Sequence, residues 1–119
     1  MDTRPKTIIC DIDGTLIYHN PPNISANKSY IPKLLEGTID KLNEWEYKGY
    51  NIILLTGRKE SMRKVTQNQL SQLGIYYDQL IMGVGGGSRY LVNDYKPDGV
   101  ASAFAINIER NKGIKNINI

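Results

Sequence analysis

Two carboxylates one residue apart, Asp11 and Asp13, follow the apolar run Ile8-Ile9-Cys10 and precede Gly14. Such a run reads as a buried strand whose C-terminal tip delivers the acids to a crevice. Side chains alternate along a strand, so Asp11 and Asp13 face one side and Ile12 the other. Neighbouring carboxylates repel, and a divalent cation that prefers oxygen ligands relieves the repulsion. The plain alternative is a strand running into an Asp-Gly turn. A second group, Thr56-Gly57-Arg58, closes another apolar run and precedes a helical pattern. A hydroxyl and a backbone amide at a strand tip, just ahead of a helix, make a phosphate cradle. Read alone, the tripeptide is equally a strand-to-helix turn, with Arg58 either extending a positive surface or solvated. A third group, Asp94-Tyr95-Lys96-Pro97-Asp98, follows Arg89-Tyr90-Leu91-Val92-Asn93.

The elements that must position these residues alternate between strand and helix. Residues 6–11 predict the first strand. Residues 17–36 break the pattern at Asn20-Pro21-Pro22-Asn23 and Ile31-Pro32, and form a long loop or flap directly behind the acids. His19 lies in that loop and reads as exposed. Thr38, a candidate N-cap, opens a helix to about residue 48, with Ile39, Leu42 and Trp45 on one face and Gly49 ending it. Residues 50–55 predict the second strand and residues 60–73 the second helix, its core face drawn from Met62, Val65 or Thr66, Gln69 or Leu70, and Leu73. Short strands are expected at 78–82, 89–93 and 104–108, ahead of a polar tail. The run Gly83-Val84-Gly85-Gly86-Gly87-Ser88 lacks the last glycine of a dinucleotide fingerprint, and no P-loop motif occurs, so a flexible loop at the site entrance is expected instead. Strand and helix alternation with polar residues at strand C-termini implies an open parallel sheet.

The motif Asp11-Ile12-Asp13-Gly14-Thr15-Leu16 resembles the first signature of the haloacid dehalogenase (HAD) superfamily, whose members are mostly magnesium-dependent phosphatases. Thr56-Gly57-Arg58 resembles its second motif, and Asp94 with Asp98 its last. The resemblance implies a three-layer α/β/α Rossmann-like sandwich without a cap domain. It also implies Asp11 as nucleophile, Asp13 as general acid and base, and Thr56 with Gly57 on the phosphate. Asp11, Asp94 and the backbone carbonyl of Asp13 would hold Mg²⁺, supported by Asp98. The lysine that normally precedes the last acids is absent, since none occurs between Leu80 and Asn93. Arg89 and Lys96 are the nearest cations, and Lys96 is preferred as the closer to Asp94. The expected reaction is phosphomonoester hydrolysis through an aspartyl phosphate, on a small metabolite such as a sugar phosphate of polysaccharide synthesis. A phosphatase acting on a nucleic-acid end or phosphoprotein, and a silent binding module, are the alternatives. Capless members commonly close their sites by oligomerising, so a homo-oligomer is also expected.

Composition bounds these readings. With 119 residues the chain fits one domain, residues 1–119. Fifteen basic against twelve acidic residues give a net charge of +3. The basic residues are scattered, which favours small anionic ligands over nucleic acid. One cysteine, Cys10, within an apolar strand excludes a disulfide framework and fits a reducing cytoplasm. No apolar stretch is long enough for a membrane span.

Overall fold

The computed structural model describes residues 2–119. Strand β1 (Thr7–Asp11), the one-turn helix α1 (Pro22–Ser25), helix α2 (Thr38–Tyr47), strand β2 (Asn51–Leu55), helix α3 (Arg63–Gln72, entered through a 3₁₀ turn at Glu60–Met62) and strand β3 (Gln79–Ile81) follow in that order. The strands form a parallel sheet in the order β1-β2-β3. Ile8 lies opposite Ile52 and Asp11 opposite Leu55, while Leu54 lies opposite Leu80. Asp78 pins the entry to β3. Its amide donates to the Ile52 carbonyl at 2.8 Å, and its carboxylate accepts from the Ile52 amide at 2.7 Å and from the Tyr76 hydroxyl at 2.7 Å. These bonds to its charged form hold the Asp78 carboxyl below its ordinary pKa.

Period-two burial gives the sheet one closed face. Ile8, Cys10, Ile52, Leu54 and Leu80 are buried and meet Leu42 and Trp45 of α2 and Leu70 of α3 in one core. Trp45 and Cys10 are thus core residues, as expected. Ile9 and Ile81 point the other way and are 49% and 44% exposed. The topology explains the asymmetry: strands added in one direction through right-handed crossovers carry both helices on the same face. The parallel α/β architecture is the one expected, but the described residues supply no third layer. The strands expected at 89–93 and 104–108 do not form. Tyr90 and Val92 are 90% and 94% exposed and Phe104 77%, and the isolated bridge from Tyr95 to Ala101 is the pairing in this stretch. Alternating apolar residues signal a strand only where a neighbouring strand accepts their backbone groups, and none does here. The molecule as a whole measures 50 × 29 × 24 Å, and this stretch forms an exposed arm.

The tail, by contrast, returns to the body. Ile114 is buried, and its amide donates to the Glu36 carbonyl at 3.0 Å. Gly37 and Gly113 both have φ of 87° at this crossing, and a Cβ on Gly113 would lie 2.2 Å from the Glu36 oxygen. Two glycines let the strands of backbone touch there. Among the described residues no helix is long and apolar enough to cross a membrane.

Candidate active site

Asp11 is the last residue of β1, and Asp13 follows it in a tight turn. The Gly14 amide donates to the Ile17 carbonyl at 2.8 Å and the Leu16 amide to the Ile12 carbonyl at 2.9 Å. Gly14 has φ of 87°, which a side-chain-bearing residue adopts at a cost. The tail braces this turn. The Asn111 amide donates to the Gly14 carbonyl at 2.8 Å, and the Asn111 side-chain oxygen accepts from the His19 amide at 2.9 Å. His19 itself is exposed, as read from the loop. Parallel register puts the next tip alongside, so Thr56 comes directly after Leu55, the partner of Asp11.

The two carboxylates sit in different surroundings. Asp11 accepts from Arg89 Nη1 at 3.0 Å on one oxygen and from the Thr15 hydroxyl at 3.3 Å on the other. The side chains of Asp11 and Arg89 are 35% and 38% exposed, so this acid is open to solvent and to an incoming group. Asp13 is gripped from below. Arg58 donates through Nε at 2.9 Å and Nη2 at 2.8 Å to its two oxygens, a bidentate pair whose side chains are 6% and 20% exposed. A fork of this kind fixes the plane of a carboxylate as well as its position. The same guanidinium donates through Nη1 to the Thr66 hydroxyl at 3.0 Å and to Gln69 Oε1 at 2.8 Å, both on α3. Arg58 is therefore neither solvated nor part of an outer positive surface.

Thr56 is buried, and its hydroxyl oxygen accepts from the Arg58 amide at 3.1 Å, leaving the O–H free to donate. The glycine run folds over this turn. The Val84 amide donates to the Thr56 carbonyl at 3.0 Å and the Gly83 amide to the Arg58 carbonyl at 2.7 Å. A Cβ on Gly57 would lie 2.8 Å from the Gly85 oxygen, so only glycine fits beneath the crossing backbone. The expectation that this run lines the entrance agrees with that packing.

The structure separates the remaining candidates. Lys96, preferred from sequence proximity, pairs with Asp2 at 3.1 Å, and Arg89 is the cation beside Asp11. Asp94 is exposed on the arm, its carbonyl accepting from Asn93 and Ser102 side chains at 3.1 and 3.0 Å. Asp98 closes a turn, accepting from the Val100 amide at 3.1 Å. Both lie where the expected strand does not form, which is why they do not reach the tip of β1. Among the described residues no three His, Cys, Asp or Glu side chains are grouped to hold a metal. Asp11 and Asp13 each face a guanidinium instead. With the Asp11 carboxylate paired to Arg89 and Asp94 not grouped with it, these residues as arranged do not fit the Mg²⁺ site expected from Asp11, the Asp13 carbonyl and Asp94. Sequence reasoning offers Thr66 and Gln69 only as core-face residues and misses them as partners of Arg58. The signal was available: two polar residues three apart on the buried face of a helix need partners, and a nearby arginine is the natural one.

Comparison with known proteins places the chain in a family. The family described as polynucleotide kinase PNKP phosphatase domain matches residues 5–90. Among solved structures, a chain of the Pnkp1/Rnl/Hen1 complex is 34% identical with a TM-score of 0.58, over 72% of this chain and 30% of that one. A chain of the Pnkp1/Rnl/Hen1 RNA repair complex is 35% identical with a TM-score of 0.57, over 82% of this chain and 30% of that one. This chain thus spans about a third of the length of either. A Vibrio cholerae protein, 21% identical with a TM-score of 0.53 over 78% of this chain and 85% of that one, shares the fold. No curated protein matches. With well over half its length matched, including both the Asp11–Asp13 tip and the Thr56 turn, the chain belongs to the PNKP phosphatase-domain family of HAD phosphatases.

Proposed function

We propose that this chain removes a terminal phosphate from a polynucleotide through a covalent intermediate on Asp11. The observation that carries the reaction is the unequal setting of two adjacent acids, Asp11 open and Asp13 clamped by Arg58. A nucleophile must reach phosphorus, whereas a proton carrier must be held at one atom, and the two settings suit those tasks. Asp11 attacks phosphorus, and the bond to the leaving oxygen breaks as Asp13 delivers its proton there. Water then attacks the aspartyl phosphate, Asp13 takes its proton, and inorganic phosphate leaves. A carboxylate offers about four lone-pair sites, so the Arg58 fork leaves part of Asp13 free for this work. Arg89, the Thr56 hydroxyl and the Gly57 amide are the groups for the phosphoryl oxygens.

A polynucleotide end is preferred over the sugar phosphate expected from sequence because the matching family is named for a polynucleotide kinase. A groove of about 400 Å³ between the flap and α3 suits a strand, being lined by Lys28, Tyr30, Lys64, Asn68 and Gln72 among others. Ammonium groups with an aromatic ring are the usual means of holding single strands. The test is phosphate release from oligonucleotides bearing a 3′- or 5′-phosphate, a sugar phosphate panel and an aryl phosphate, each with Mg²⁺ and with EDTA. A kcat/KM for one oligonucleotide end at least tenfold above every sugar phosphate supports the reading. A sugar phosphate as best substrate overturns the choice of polynucleotide, and no release from any substrate overturns the reaction.

A further inference from the structure

Gln69 lies one residue removed from the chemistry and is only 4% exposed. Its side-chain oxygen accepts from Arg58 Nη1 at 2.8 Å, and its side-chain nitrogen donates to the Ser25 carbonyl at 2.8 Å. The amide can sit only this way round. Flipped, it would turn N–H groups on a guanidinium and an oxygen on a carbonyl, losing both bonds. Ser25 is the buried residue of α1, the single helical turn within the flap. An unbroken chain of hydrogen bonds therefore runs from the flap through Gln69 and Arg58 to both oxygens of Asp13. Thr66, at 1% exposure, gives Arg58 its other side-chain acceptor on α3.

We infer that Gln69 is a positioning residue: it aims the Arg58 fork, and through it Asp13, at the leaving oxygen, and it registers the flap on the same guanidinium. The inference rests on the role of Asp13 proposed above. The physical reason is directional. Nε and Nη2 of Arg58 are committed to Asp13, so the rotation of the planar fork is set by whatever holds Nη1. Without Gln69, the guanidinium is free to tilt about its bond to Thr66, and a proton donor displaced by about 1 Å can lose on the order of 100-fold in rate.

The experiment measures kcat/KM for a series of aryl phosphates of rising phenol pKa, ending with a nucleoside phosphate as the alkyl case. This quantity reports the first transfer alone, in which a good leaving group needs no proton and a poor one does. Gln69→Met, which keeps the volume and removes both hydrogen bonds, is expected to lose less than about 3-fold on the best leaving group and about 10- to 100-fold on the alkyl phosphate. Its leaving-group plot is then steeper than wild type, in the direction of Asp13→Asn. Gln69→Glu keeps the acceptor for Arg58 and is expected to restore most of the wild-type slope. Should Gln69→Met fail to fold, Gln69→Asn, a methylene too short to hold both partners, carries the same expectation. Equal losses on all substrates, with Asp13→Asn still steep, overturn the inference alone. A wild type with no turnover, or an Asp13→Asn plot parallel to wild type, overturns the role of Asp13 on which the inference rests.

Discussion

Replacing Arg58 by methionine separates a buried ion pair from an exposed one within a single site. The Arg58 guanidinium makes four hydrogen bonds, two to Asp13 and one each to Thr66 and Gln69. Arg58→Met keeps most of the hydrocarbon and leaves three partners unanswered, one of them a carboxylate with a side chain only 20% exposed. Breaking one partner of a buried pair costs about 3–5 kcal/mol. A domain holds only about 5–15 kcal/mol in all. Arg89→Met removes a guanidinium of the same charge from Asp11, but both side chains there are more than a third exposed. Solvent screening then limits the expected loss to about 0–1 kcal/mol. Urea unfolding of wild type and both variants reads the difference, with an unchanged slope showing that midpoints are comparable. Arg89→Met is expected to fold normally and lose activity, because its task is charge beside Asp11 rather than packing. Equal and small stability losses, below about 1 kcal/mol for Arg58→Met, would refute the reasoning: Asp13 would then be held by something other than the fork.

Other expectations follow from single contacts. Gly57→Ala places a methyl 2.8 Å from the Gly85 carbonyl oxygen, pushing the glycine run off the Thr56 turn; stability falls by about 1–3 kcal/mol and turnover falls with it, read by unfolding and phosphate release. Burial, and then the nearby Asp11 charge, push the Cys10 thiol up from 9.0 to about 12. The folded state therefore binds that proton more tightly, and its contribution is complete below about pH 9 and is lost as pH rises towards 12. Relative to Cys10→Ala, wild type should lose up to about 4 kcal/mol across that window, measured by unfolding at stepped alkaline pH. Amide hydrogen exchange across 90–92 should be unprotected, since Tyr90, Leu91 and Val92 are exposed and lie outside the sheet.

Legibility in the sequence followed the range of the interactions. Asp11 and Asp13 were readable because an apolar run ending in two acids is a local pattern, and Thr56-Gly57 likewise. Leu42 and Trp45 announced the buried face of α2 by spacing alone. The pairing of Arg58 with Asp13 was not readable, since 45 positions separate them and only the parallel register of β1 and β2 brings the two tips together. Spacing alone leaves Thr66 and Gln69 as alternatives to Val65 and Leu70 for a core face, whereas the helix buries Thr66, Gln69 and Leu70 together. The choice between Arg89 and Lys96 was decided by space rather than by sequence distance, with Lys96 drawn to Asp2. At 89–93 and 104–108 the alternation was genuine, but a strand is a relation between two segments, and its partner is not written in its own residues.

The most direct test of the account is to trap the covalent intermediate. Wild-type protein is mixed with an oligonucleotide carrying a radiolabelled terminal phosphate, quenched in acid during the first turnover and digested to peptides. Label is expected on the peptide containing Asp11, released by hydroxylamine as an acyl phosphate is, and absent from Asp11→Asn. Continued turnover by Asp11→Asn, or label carried on any other residue, would contradict it.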